Sequence, residues 1–142
     1  MNSANPISFN SVTKAYGSHI ALENMDLSVG AGEIFGFLGP NGAGKTTAIR
    51  ILTGFLKPTD GSASVFGMNC WKQAVDISKR IGFVPDLSSL YDNSTGRELL
   101  DYFGSLHGGL NRQNLNTLCD SLKLSHEDLN RKIRQYSHGM KR

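Results

Sequence analysis

Several of the residue patterns that mark specialised chains are scarce here. The only two cysteines, Cys70 and Cys119, lie 49 positions apart with no metal-ligand spacing around them. That excludes a disulfide framework and a structural zinc site, and it reads as two reduced, buried thiols. No run approaches the roughly eighteen apolar residues of a bilayer span. Met1 to Thr13 has no basic start followed by an apolar stretch, so no secretory signal is visible. Neither an internal repeat nor a low-complexity tract occurs, and 39% hydrophobic with 19% charged residues excludes a disordered or fibrous chain. Carboxylates are missing from the last twelve residues, which hold five cations: Arg131, Lys132, Arg134, Lys141 and Arg142. The first 130 residues therefore carry 15 − 5 = 10 cations against 12 acids, and the formal charge of +3 belongs to the tail. A nucleic-acid-binding body is not expected from that balance. A length of 142 residues allows one domain, or one and a half, and excludes a large multi-domain enzyme.

Glycine is plentiful and clustered. Six of the 16 fall between Gly30 and Gly44, where the chain needs positive φ or close backbone approach. Around this cluster the first part reads as mixed α/β. Ile7, Phe9 and Val12, then Ala21 to Val29, are strands with imperfect alternation. Glu33 to Leu38 reads as a buried strand, because apolar residues occupy both of its faces. A helix is expected from about Lys45 to Thr53 with Gly54 as its stop. The turn Pro58–Gly61 leads to a strand at Ser62–Phe66, then a helix at Trp71–Lys79 and a strand at Ile81–Val84. Beyond Pro85 the texture is helical. Thr95 and Glu98 have capping-box spacing before Leu99, Tyr102, Phe103 and Leu106, and Gly108-Gly109 ends that helix. Asn111 caps a helix carrying Leu115, Leu118, Cys119 and Leu122, and Ser125–Asp128 repeats the capping spacing. The expected organisation is a core at residues 1–86 and a helical subdomain at 87–142, with the boundary near Pro85 to Asn93.

Gly39-Pro40-Asn41-Gly42-Ala43-Gly44-Lys45-Thr46 fits G-x-x-x-x-G-K-[ST] at every fixed position. For this composition the pattern arises by chance in roughly one or two of a hundred such chains. Its place between a strand and a helix is the one the mechanism needs. The glycines let successive N–H groups curl inward toward an anion, and the helix starting at Lys45 adds its positive end. Lys45 is expected to reach the β- and γ-phosphates, Thr46 to offer its hydroxyl to Mg²⁺, and Thr47 to donate to the α-phosphate.

The residues flanking this loop resemble the nucleotide-binding subunit of an ABC transporter over nearly the whole chain. Val12-Thr13-Lys14-Ala15-Tyr16-Gly17 and Ala21-Leu22-Glu23-Asn24 resemble the family's opening strands, which implies that Tyr16 stacks on adenine. Gly36 to Thr47 is similar to the P-loop of the bacterial drug- and ion-exporter branch. Pro58-Thr59-Asp60-Gly61-Ser62 and Ile81-Gly82-Phe83-Val84-Pro85 follow at matching distances, and Tyr136-Ser137-His138-Gly139-Met140 resembles the start of the signature motif. The resemblance implies a RecA-like P-loop NTPase core with antiparallel N-terminal strands and an α-helical subdomain. It implies ATP bound with Mg²⁺ at Tyr16, Gly39, Asn41, Gly42, Ala43, Gly44, Lys45, Thr46 and Thr47. Ser137 and Gly139 of one subunit would face the γ-phosphate held by another. The implied partners are a second nucleotide-binding subunit, identical or not, and a transmembrane permease, with the protein peripheral on the cytoplasmic side of the membrane and soluble by itself. His19, His107 and His126 read as surface residues.

Two departures qualify the resemblance. Asp86 stands where the family has its Q-loop glutamine, and it is carried over as a metal contact. No run of four apolar residues followed by Asp-Glu occurs after the P-loop, so the Walker B carboxylates and the following catalytic residues are not found. The expectation is a domain truncated at its C-terminal end, with Lys45 its only catalytic group and no activity alone. Three functions compete: a transport ATPase subunit, a nucleotide-binding remnant without turnover, and another P-loop class such as a GTPase or small-molecule kinase.

Overall fold

Ile7–Tyr16 forms strand β1 and His19–Val29 forms β2, joined by a two-residue turn at Gly17-Ser18. The two pair antiparallel from Ile7↔Val29 to Tyr16↔His19, with register shifts between Phe9 and Ala15. Strand β3, Asp60–Val65, adds antiparallel to the other edge of β1, and the short β4, Met68–Asn69, adds to β3. The sheet order is β2-β1-β3-β4. This computed structural model describes residues 5–84, 91–106 and 108–141. It comprises two compact units, Met1–Phe83 and Val84–Arg142.

In the first unit, helix α1 (Lys45–Leu52) turns Ala48 and Ile51 toward the sheet. Ile51 is 0% exposed and shares a core with Phe9, Val12, Leu22, Val65 and Ile77. Burying a side chain of this size is worth roughly 1.5–3 kcal/mol, so this cluster ties α1, and the loop before it, to the sheet. Ile77 comes from helix α2, Ala74–Ser78. That helix starts three residues later than the sequence suggests. The amides of Trp71 and Lys72 donate to Asn69 Oδ1 at 3.1 and 3.0 Å, and this side-chain turn holds the chain out of helical geometry until Gln73.

Two expected strands are not formed. Glu33–Leu38 and Ile81–Val84 are irregular, and every strand pairing among the described residues is antiparallel. A parallel strand exists only through ladder bonds to neighbours on either side. With no such neighbour among the described residues, Ile34 is 100% and Leu38 91% exposed. Phe37 alone of that segment reaches the core.

The second unit contains helices α3 (Gly96–Leu106), α4 (Arg112–Leu122), α5 (His126–Asn130) and α6 (His138–Lys141), with a 3₁₀ turn at Ile133–Gln135. Local capping sets the helix starts as the spacing predicts. Thr95 N–H donates to Glu98 Oε2 at 2.8 Å, and Glu98 N–H returns to Thr95 Oγ1 at 3.2 Å. Asn111 accepts from the Gln113 and Asn114 amides, and Ser125 and Asp128 form a complete capping box. Cys119, Leu129 and Ile133 are buried, and the Tyr136 hydroxyl donates to the Asp128 carbonyl at 2.6 Å. The helical apolar stripe is only partly covered, because Tyr102, Leu106, Leu118 and Leu122 are exposed. No helix among the described residues is long and apolar enough to cross a membrane.

Candidate functional site

The glycine loop between Leu38 and α1 is shaped by its own sequence. Ala43 N–H donates to the Pro40 carbonyl at 3.2 Å, and Gly42 takes φ 86°. Gly44, the N-cap of α1, takes φ 82° and is buried against β2. A Cβ there would run into the Ala21 carbonyl oxygen and lie 2.6 Å from Leu22 Cδ2. Only glycine satisfies both the left-handed backbone and this close approach. The result fixes the helix start against β2.

The first amide of α1 with a carbonyl four residues behind it is that of Ala48, which donates to Gly44 O at 2.9 Å. The amides of Lys45, Thr46 and Thr47 have no intrahelical acceptor, and no side chain caps them. Lys45 Nζ is drawn back over the loop, donating to the Gly39 and Pro40 carbonyls at 2.6 Å each. The ammonium is thus held at the loop by neutral acceptors. An anionic oxygen makes a stronger acceptor than a carbonyl, so a phosphate entering the loop competes favourably for this cation.

Beside the loop lies a cavity of about 280 Å³, bounded by the tip of the β1–β2 hairpin on one side and the loop on the other. Tyr16, His19 and Ala21 come from the hairpin, and Asn41, Gly42 and Gly44–Thr47 from the loop and helix. No carboxylate is among these lining residues. Tyr16 is 47% exposed, and the Lys14 ammonium lies over its ring at 5.1 Å from the centroid, itself anchored by the Lys57 carbonyl at 2.9 Å. The cavity therefore presents one cation, a helix N-terminus and an accessible aromatic ring. Those are the features that hold a polyanion tethered to a flat heterocycle.

Of the residues singled out from the sequence, the structure brings Tyr16, Asn41, Gly42, Gly44, Lys45, Thr46 and Thr47 to one cavity. Gly39 offers its carbonyl to Lys45, and Ala43 tightens the turn. Ser137 and Gly139 belong to the second unit, where Ser137 Oγ accepts from the Met140 amide at 3.2 Å. Asp86 lies outside the described residues, as does His107. His19 and His126 are exposed, as expected, and each has a neighbour the spacing does not show. His126 Nδ1 lies 3.2 Å from Arg97 Nη2, and His19 lines the cavity. His19 was legible in principle: a Gly-Ser turn closing a two-residue hairpin places it directly across from Tyr16.

Thr46 brings a hard hydroxyl oxygen to the cavity beside Lys45, the donor that a phosphate loop offers to Mg²⁺ alongside phosphate oxygens; the carboxylate such a site also uses is not among the lining residues. The titratable groups with clear shifts lie elsewhere. Burial pushes the Cys70 thiol up to about 11. Glu98 is held below the usual carboxylate range by its bonds from the Thr95 amide and hydroxyl, and Asp128 by those from Ser125. Burial raises the Tyr136 phenol, with the Asp128 charge adding to it.

Comparison with known proteins gives concordant findings. The family model described as ABC transporter matches residues 22–142. The chain is 38% identical over 130 residues to the bacitracin transport ATP-binding protein BcrA of Bacillus licheniformis, covering 92% of this chain and 42% of that protein. It is 38% identical over 139 residues to the daunorubicin resistance ATP-binding protein DrrA3 of Streptomyces coeruleorubidus, covering 96% of this chain and 44% of that one. Among solved structures, an ATP-binding subunit of an ABC transporter superposes with a TM-score of 0.79 at 25% identity, over 96% of this chain and 58% of that one. A dimeric ATP-binding cassette in a post-hydrolysis state, bound to ADP and Pi, gives 0.76 at 26% identity, covering 94% and 64%. The chain thus spans less than half the length of the two curated relatives described here. Tyr16 and His19 precede the matched region.

Proposed function

The chain belongs to the ABC transporter family, and we propose on that basis that it is the ATP-binding part of a transporter in the drug-exporter-like branch. The observation that carries this reading is the shared cavity, in which the phosphate loop and Tyr16 face the same space. Adenine stacks on Tyr16, and the amides of Lys45, Thr46 and Thr47 receive phosphate oxygens. Lys45 leaves the Gly39 and Pro40 carbonyls for the β- and γ-phosphates. Thr46 holds Mg²⁺, which neutralises phosphate charge when bound, and Thr47 meets the α-phosphate. Asp86 is proposed as a further metal contact.

The wider assembly is proposed on the names of the relatives, which are transport and drug-resistance ATP-binding proteins, and on a dimeric structural neighbour. In it, Ser137 and Gly139 of one copy approach the γ-phosphate held by another. A transmembrane permease receives the motion on the cytoplasmic side, and ATP hydrolysis drives transport. The division of labour we propose assigns residues 1–86 to nucleotide binding and 87–142 to helical relay.

A second reading applies to the 142-residue polypeptide taken alone. Because no apolar run ending in Asp-Glu follows its P-loop, we propose that it binds Mg·ATP without turning it over. Calorimetric titration with Mg·ATP tests the binding, and phosphate release tests the turnover. Lys45→Ala is expected to weaken ATP binding at least tenfold, because it removes the one cation of the cavity. Unchanged affinity in that variant, or preference for GTP over ATP, counts against the proposed function. Lys45-dependent phosphate release above background counts against the second reading.

A further inference from the structure

His19 has no role in the reading so far, yet it lines the same cavity as Tyr16 and the phosphate loop. Its position follows from the hairpin. Tyr16 and His19 are the last opposed pair before the turn, and directly opposed residues of an antiparallel pair project from the same face with Cβ atoms about 5 Å apart. The imidazole therefore accompanies the aromatic ring into the cavity rather than pointing away from it. It is exposed, so nothing in the core requires it there.

A nucleoside triphosphate is ordered base, ribose, phosphates. With the phosphates at Gly42–Thr47 and the base face on Tyr16, the part that passes the hairpin between them is the sugar. An imidazole carries one donor and one acceptor nitrogen, which matches the two ribose hydroxyls, each able to donate and accept. The adenine face is already taken by Tyr16. We infer that His19 is a second nucleoside-recognition residue, hydrogen-bonded to the ribose hydroxyls of the bound nucleotide. This inference rests on the proposed nucleotide site and deepens it, making the hairpin tip a sensor of the sugar as well as a platform for the base.

The test compares three ligands by titration calorimetry against the purified polypeptide: ATP, 2′,3′-dideoxy-ATP and inorganic tripolyphosphate. His19→Ala is expected to weaken ATP about three- to tenfold, the worth of one or two net hydrogen bonds. Dideoxy-ATP, which lacks both hydroxyls, and tripolyphosphate, which lacks the nucleoside, should bind the variant and the unaltered chain alike. His19→Gln, which keeps a donor and an acceptor, should recover part of the ATP affinity, and unchanged thermal melting of both variants shows that the hairpin stays folded. ATP binding that is the same with and without the imidazole overturns the inference while leaving the nucleotide site standing. A loss of equal size for ATP and dideoxy-ATP does the same, because the contact then is not to the hydroxyls. Failure of the unaltered chain to bind ATP at all overturns both.

Discussion

Gly44 carries more of the site's geometry than its lack of a side chain suggests. Its left-handed backbone starts α1, and its missing Cβ is what lets the loop lie against the Ala21 carbonyl. For a residue with a Cβ, the left-handed conformation alone costs about 1–2 kcal/mol, and the contact with β2 adds to it. Gly44→Ala is therefore expected to lower unfolding free energy by more than about 1 kcal/mol in urea titration. It should also weaken ATP binding, since the helix start must move away from the hairpin. A variant as stable as the original would mean that β2 yields easily, and that the loop is not built on this contact. Lys45 shows the complementary principle. Its two bonds to loop carbonyls hold the charge where a phosphate would claim it, so the cation is positioned before any ligand arrives.

At the level of elements, the local caps were readable, and the two expected strands that did not form are ones that need partners distant in sequence. The capping pairs Thr95–Glu98 and Ser125–Asp128, and the Asn111 cap, involve residues three apart or fewer, and all formed. The strands at Glu33–Leu38 and Ile81–Val84 were called for by composition but depend on ladder partners far away in sequence, and neither formed. The capping carboxyls also give the second unit a pH signature. Glu98 and Asp128 are both held below the usual carboxylate range by bonds from Thr95 and Ser125. Folding thus favours their charged forms. The stabilisation is complete above the ordinary carboxylate range near pH 4 and is lost as pH falls through the depressed folded values. Helical circular dichroism should accordingly decline on acidification below about pH 4. The double variant Glu98→Gln, Asp128→Asn should give a flatter profile, and an identical decline in that variant would remove these caps as the cause.

For the molecule as a whole, the decisive feature is the first unit's uncovered apolar surface. Ile34 and Leu38 are almost fully exposed, and Phe35 and Phe37 border a groove of about 230 Å³ with Leu27, Val29 and Leu52. Soluble proteins seldom leave contiguous apolar surface of this kind open. The polypeptide is expected to enhance the fluorescence of an apolar-surface dye such as ANS while its far-ultraviolet dichroism is intact. Ile34→Lys with Leu38→Lys should reduce that signal with little loss of stability, since neither side chain is in the core. Dye binding that persists undiminished in the double variant would place the sticky surface elsewhere. What the amino-acid order settled without any coordinates was the phosphate loop, the hairpin strands, the capped helices and the family to which the chain belongs, because each is written in residues a few positions apart. The tertiary structure alone decided which side chains share a space. It put His19 beside Tyr16 in the cavity at the glycine loop and left Glu33–Leu38 without strand partners among the described residues. Cavities and ladders are made by contacts between distant segments, and the spacing of residues along one segment does not contain them.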